Sequence, residues 1–287
     1  MLTLVFDDHP RSSTDQPARV ATEWRDEHGR AFAVGTVGPH ARQIAWTGLG
    51  TFRFTVDSRD VHFHPDPGVD RAWAADAFTR LIQPLILQAQ GLPALHGSAV
   101  ADADGAIVFC GLSGHGKSTL AYALAGRPGF SQLADDAVVL RPDGPTAFVV
   151  TPLPFRPRLR PPSAAVLQPP GHDTAGGRPS TFHESPLRAV VVLSQLSSDE
   201  GSADVPRMTP VAPATAFRLL LTHAHCFDEA DRDAMRAMVQ HYFALAGTVP
   251  VITLAYRPDF AALPRLVDTL LAALDGAPQD RSGPATR

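Results

Sequence analysis

Residues 106–126 read AIVFCGLSGHGKSTLAYALAG. An apolar strand-like run enters a glycine-rich loop, and a helix-forming segment leaves it and stops at Gly126. A strand, a glycine loop and a helix in that order place the chain in the α/β class. Gly111 to Ser118, GLSGHGKS, has phosphate-loop spacing: glycine, four residues, then glycine, lysine and serine or threonine. Gly111, Gly114 and Gly116 allow backbone N–H groups to close on phosphate oxygens with no Cβ in the way. The helix start adds its partial positive charge at the same place. In this pattern Lys117 bridges the β- and γ-phosphates and the Ser118 hydroxyl ligates Mg2+, while Ser113, His115 and Thr119 complete the nucleotide-binding stretch.

The composition makes Lys117 stand out. Of 25 Lys plus Arg residues it is the single lysine. Arginine is a wide planar fork, whereas a cavity beside terminal phosphates calls for a compact charge on a flexible stem. A nucleoside triphosphate is the ligand these residues imply.

The bulk numbers exclude more than they assign. Hydrophobic content of 44% suffices for a real core, and a net charge of −4 gives no electrostatic case for nucleic acid or an anionic membrane. Cys110 and Cys226 form no C-x-x-C pair, so neither a disulfide scaffold nor a thiolate metal site is indicated. No apolar run approaches a membrane span, and MLTLVFDDHP lacks the basic start of a signal peptide. The expectation is a cytoplasmic protein.

Residues 1–68 read as a β-rich N-terminal region, with RAFAVGTV, RQIAWTGL, TFRFTVDS and DVHFHP as strands. Residues 69–275 read as the nucleotide-binding domain. It opens on a helix over 69–91, with Asp70 near its N-cap and Pro84 kinking or splitting it. LHGSAVADADGAIVFC reads as a hairpin about D-A-D-G, and SQLADDAVVL as a strand ending in two acids. Residues 151–185 read as a long mobile loop, PATAFRLLLTHAHCF as a helix, and 276–287 as a disordered tail.

Asp135 and Asp136 follow Lys117 by about one helix and one loop. On the residues alone they read either as an acidic turn or as a Mg2+-binding acid with a proton acceptor beside it. His96 in LHGS, on the residues alone, reads as a structural histidine.

Taken in order, LHGSAV, FCGLSGHGKSTL and LADDAVVL resemble the HPr serine kinase/phosphorylase family, whose nucleotide core is shared with ATP-dependent phosphoenolpyruvate carboxykinases. The layout is most similar to the short HPr-kinase-like proteins that accompany modified-peptide pathways, such as those of lasso peptides. The resemblance implies an α/β phosphate-loop core and ATP with Mg2+. It implies transfer of the γ-phosphate to a serine of a peptide or small protein, and a possible homo-oligomer. It further implies catalytic roles for His96, Lys117 and Asp135, with Asp135 as base and Asp136 as the metal-linked acid. The chain lacks the Leu-Glu-Ile-Arg-Gly signature that the bifunctional HPr enzymes carry, which points away from the reverse reaction.

Arg156, Arg158 and Arg160 alternate on an extended segment and could clamp phosphate or an acidic peptide, with Glu184 in the same region. They read as substrate candidates or as a solvated loop. His223 and His225 read as incidental histidines of a helix. Two rivals to the peptide kinase are a kinase of a sugar or metabolite hydroxyl and a regulator that binds ATP without transferring phosphate.

Overall fold

Alternation of large apolar side chains builds the first layer. In the computed structural model, which describes residues 2–7, 19–26, 28–153, 155, 159, 161–167, 183–196 and 206–276, six strands form one mixed sheet. They are β1 (Thr3–Phe6), β2 (Arg19–Arg25), β3 (Ala31–Val37), β4 (Arg42–Trp46), β5 (Gly50–Phe54) and β6 (Asp60–Pro65), in the order β1-β6-β5-β4-β3-β2. Phe52, Phe54, Val61 and Phe63 point to one face at period two and are buried there.

That face is covered by α1 (Arg71–Ala77) and α2 (Gln83–Ala89), so the first core runs on past residue 68. Asp70 caps α1 by accepting from the Trp73 N–H at 2.8 Å. The expected helix is split where Pro84 stands: a wide π-turn, Phe78–Ile82, joins the two halves and puts Pro84 in the first turn of α2. There a missing N–H costs nothing. Ala74, Phe78, Ile82 and Ile86 meet the sheet, and Phe227 enters the same core from much later in the chain.

The second sheet is also mixed. Its centre is parallel: β9 (Gly105–Gly111), β13 (Ser185–Gln195) and β15 (Val251–Tyr256). On one side of β9 lies β8 (Gly97–Asp102), paired antiparallel through the expected hairpin, and then β10 (Ser131–Ala134). On the other side β14 (Arg207–Pro210) borders β15. The first residues of β13 also pair with β12 (Phe148–Thr151), which leads to β11 (Val138–Pro142) and β7 (Ala94–Leu95).

Both faces of the parallel centre are covered, as its continuous apolar strands require. Ile107 and Phe109 face α3 (Lys117–Ala125) and α7 (Leu263–Asp275) through Leu120, Leu124, Leu266 and Leu270. Val108 and Cys110 face the other way, toward α5 (Pro213–Thr222) and α6 (Arg232–Thr248), where Leu220, Tyr242 and Leu245 are buried. Within the stretch 151–185 expected as a mobile loop, residues 161–167 form α4 (Pro161–Leu167), while 154, 156–158, 160 and 168–182, and the tail 277–287, lie outside the described residues.

Phe227 is 1% exposed and lies 5.7 Å from Phe54 and 6.3 Å from Trp24, ring centre to ring centre. Phe227→Ala is therefore expected to destabilise the protein by about 3–5 kcal/mol, read by urea denaturation followed on tryptophan fluorescence. A loss below about 1 kcal/mol would mean that this ring does not support the first core.

Candidate functional site

The loop between β9 and α3 is bent by two left-handed glycines, Gly114 at φ 87° and Gly116 at φ 85°. Gly116 has a second reason to lack a side chain. A Cβ there would stand 2.2 Å from the Tyr256 hydroxyl. That hydroxyl donates to the His115 carbonyl at 2.8 Å. Gln195 donates from Nε2 to the Gly114 carbonyl at 2.9 Å, and His115 Nδ1 donates to the Leu193 carbonyl at 3.1 Å. The ends of β13 and β15 thus hold the loop from below.

Lys117 opens α3 and turns back under the loop. Its ammonium donates to the carbonyls of Gly111 at 2.9 Å and Leu112 at 3.2 Å and is buried. A buried charge of this kind needs such partners. Ser118, next on the helix, donates from Oγ to Asp135 Oδ1 at 2.7 Å. Ser98 on β8 donates to the same oxygen, also at 2.7 Å. Asp135 is 7% exposed and Ser98 is fully buried.

The two aspartates face different surroundings. Asp135 turns inward onto Ser98 and Ser118. Asp136 is exposed and is the one residue other than glycine with a positive φ among the described residues, at 66°. A left-handed residue with a side chain costs of order 1 kcal/mol, least for Asp and Asn. Its carbonyl is occupied: the His96 ring donates to it from Nδ1 at 3.0 Å, and the Gly97 N–H at 3.3 Å. A carbonyl can only accept, so this bond puts the His96 proton on Nδ1 and the lone pair on Nε2. Burial, and then the nearby Lys117 charge, lower the His96 pKa below its ordinary value.

His223 and His225 belong to this site and not to a helix face. α5 ends at Thr222, and the following segment lies against β7: Ala224 bridges Leu95, and the His225 N–H donates to the Ala94 carbonyl at 2.8 Å. The His223 carbonyl accepts the His96 N–H at 2.7 Å. The His225 ring stands edge-on to the His96 ring with centres 6.2 Å apart. Burial lowers the pKa of both, His225 to about 4, and the charge of His96 adds to the effect on each.

Ser113, Ser118 and Thr119 stand with the loop and the first turn of α3, and the Thr119 hydroxyl meets that of Ser163 on α4 at 3.0 Å. Ser98 was not singled out in the sequence. The signal that could have found it is a hydroxyl inside a strand with no exposed face, which must have a partner. Glu184 is not brought to this site. It stands just before β13, bound to Arg141 and Thr151, nine residues from the loop-facing Leu193, or roughly 30 Å along an extended strand. Arg156, Arg158 and Arg160 lie outside the described residues.

Among the described residues no group of three or more His, Cys, Asp and Glu side chains is arranged to hold a metal by itself, and no helix is long and apolar enough to cross a membrane. Ser118 and Asp135 offer two oxygens on one side. That suits Mg2+, which usually keeps one or two protein ligands and completes its shell with phosphate and water.

No family model matches the chain, and neither does any curated protein. Among solved structures it is similar to the Hpr(Ser) kinase/phosphatase from Coxiella burnetii, at 12% identity and a TM-score of 0.34, over 64% of this chain and 99% of that one. At that level the likeness is weak, and the chemistry of the site is read from this chain's own side chains.

A histidine buried neutral is stabilising above its unfolded pKa and loses that contribution as protons bind the unfolded chain more readily. With His225 near 4 against 6.5 unfolded, stability is expected to be level above about pH 6.5 and to fall between pH 6.5 and 4 by up to about 3 kcal/mol. Denaturation midpoints across that range check it. His225→Leu should flatten the slope, and an unchanged slope would assign the loss to other groups.

Proposed function

We propose that the chain is a kinase that transfers the γ-phosphate of Mg-ATP to a hydroxyl, with a serine of a peptide or small protein as acceptor. The observation that carries this reading is the Ser118–Asp135 hydrogen bond, which joins the first turn after the glycine loop to an inward-facing acid, with the single lysine beside them. The peptide acceptor is supported by the resemblance of the three motifs.

In this reading Ser118 and Asp135 would hold Mg2+, which neutralises charge on the phosphates when bound. The backbone N–H groups of Gly111 to Gly116 cradle phosphate oxygens, and Lys117 exchanges its carbonyl partners for β- and γ-oxygens. The roles of the two acids are the reverse of those implied by the resemblance. Asp135 is taken up by Ser118 and Ser98, so the exposed Asp136 is the carboxylate left to receive the acceptor proton. As that proton passes to Asp136, the acceptor oxygen forms its bond to the γ-phosphorus, the bond to the β-phosphate oxygen breaks, and ADP leaves. His96 fixes the Asp136 backbone through its Nδ1 proton, which leaves Nε2 as a neutral acceptor.

Incubation with Mg-ATP and a serine-peptide library, read by mass spectrometry, tests the reading; a gain of one phosphate is the expected result. ATP binding with no transfer to any acceptor would make the protein a nucleotide-dependent regulator instead. Asp136→Asn should keep Mg-ATP affinity and lose at least ~100-fold in transfer, whereas Asp135→Asn should weaken the Mg2+ dependence of ATP binding itself. The opposite pattern would return the base to Asp135. Lys117→Arg keeps the charge but widens it, and is expected to lose ATP affinity measurably in titration; wild-type affinity and rate in that variant would make the single lysine incidental.

A further inference from the structure

Helix α6 buries one stripe of side chains and leaves a second one bare. Tyr242, Leu245 and Ala246 turn into the core beside α5. On the flank stand Arg232, Arg236, Val239, Phe243 and Gly247, at intervals of three or four residues that set them in one line along the helix. Every one of them is exposed. Phe243, at 70%, is the most exposed large apolar side chain among the described residues, and Val239 is 39% exposed. At Gly247 nothing lies within 4 Å of the place a Cβ would take. The ring of Phe217, on α5, meets that of Phe243 edge-on with centres 6.0 Å apart, so two phenyl rings form the middle of the patch. Aromatic area gathered in water contributes little to the fold and marks a contact surface.

The charges along the line say what fits it. Its first half is basic, with Arg232 and Arg236, and Asp233 accepts from Arg236 Nη1 at 3.0 Å, which steadies that guanidinium. Its second half holds Phe243 and Gly247, and the last turn of α6 has no basic side chain to meet the partial negative charge of its carbonyls. An aromatic face and a helix C-terminus both attract a guanidinium. The line therefore carries at one end what its other end lacks, and a second α6 running antiparallel supplies the match. With a twofold axis between Val239 and Gln240, the midpoint of the line, Arg236 stands opposite the partner's Phe243. Arg232 stands opposite the partner's Gly247, where the missing side chain leaves it room. Such self-complementarity is what an isologous contact requires.

We propose that the exposed line of α6, with Phe217 beside it, docks a second copy of this chain in an antiparallel twofold dimer in which each Phe243 is covered by the partner's Arg236. The contact lies on the α5–α6 side of the second sheet, whereas α3 and the loop leading into it belong to the other side. Assembly thus leaves the glycine loop uncovered, and the inference does not rest on the kinase reading.

Sedimentation velocity of the full chain over a wide range of concentration tests it, with a monomer–dimer equilibrium as the expected result. Phe243→Ser should raise the dissociation constant at least ~10-fold, the scale of a central aromatic. Its melting temperature at a concentration where both proteins are monomeric should be unchanged, because the ring is exposed. Two further variants read the orientation. Phe243→Glu places a carboxylate opposite the partner's Arg236 and should dimerise at least ~10-fold more tightly than Phe243→Arg, which places like charges there. A wild-type protein that stays monomeric throughout overturns the proposal, as does a dimer that Phe243→Ser leaves intact. Equal loss in the Glu and Arg variants overturns the antiparallel register, since in a parallel pair position 243 meets itself and either charge repels.

Discussion

A buried carboxylate is expensive unless its oxygens are met by donors, and the Asp135 oxygen that takes two hydroxyls, from Ser98 and Ser118, organises the site. The two serines come from different elements, a central strand and the first turn of a helix. Their shared acceptor therefore ties β8, β10 and α3 at one point. The glycine loop spans the gap between that point and the end of β9, and Tyr256 and Gln195 close it from the neighbouring strands. The loop's shape is thus set by its surroundings as much as by its glycines, since a left-handed Gly116 is also the residue that leaves room for Tyr256.

The parts legible in the sequence were those where residue type and spacing allow one reading. An apolar run, three glycines and a single lysine identify strand, loop and helix start because few other arrangements use those residues together. The hairpin at D-A-D-G, the Asp70 cap and the break at Pro84 were legible for the same reason. Which of two adjacent acids faces inward was not. The two lie in a bend just past the end of β10, with Asp136 left-handed, so the answer depends on how that strand ends. Here β10 carries an irregularity against β8 between Gln132 and Ala134, directly before the acids. One extra residue in a strand exchanges the two faces, and no local pattern announces it.

Long-range placement escaped the sequence for a related reason. Phe227 reads as an ordinary aromatic near a helix end, yet its N–H is bound to Gln88 Oε1 at 2.7 Å and its ring completes the first core. That attachment also holds the preceding His223–His225 segment against β7. Glu184 shows the reverse: close in sequence to plausible substrate residues, it is carried away from the loop by the full length of a straight strand.

The histidines around the loop acquire a common physical sense from this arrangement. His96, His223 and His225 all have pKa values held below the ordinary one, first by burial, and the Lys117 charge disfavours protonation of His96 and His223 further. Three imidazoles kept neutral beside one ammonium leave that ammonium as the concentrated positive charge of the loop. Had they been protonated, they would repel Lys117 and one another in a poorly screened interior, where like charges a few ångströms apart cost several kcal/mol. Neutral, they contribute directional bonds instead: one imidazole proton fixes the strained Asp136 backbone, and one backbone carbonyl orients His96. The His223–His225 segment, which reads as incidental in the sequence, therefore places neutral imidazoles near the Lys117 ammonium instead of further positive charge.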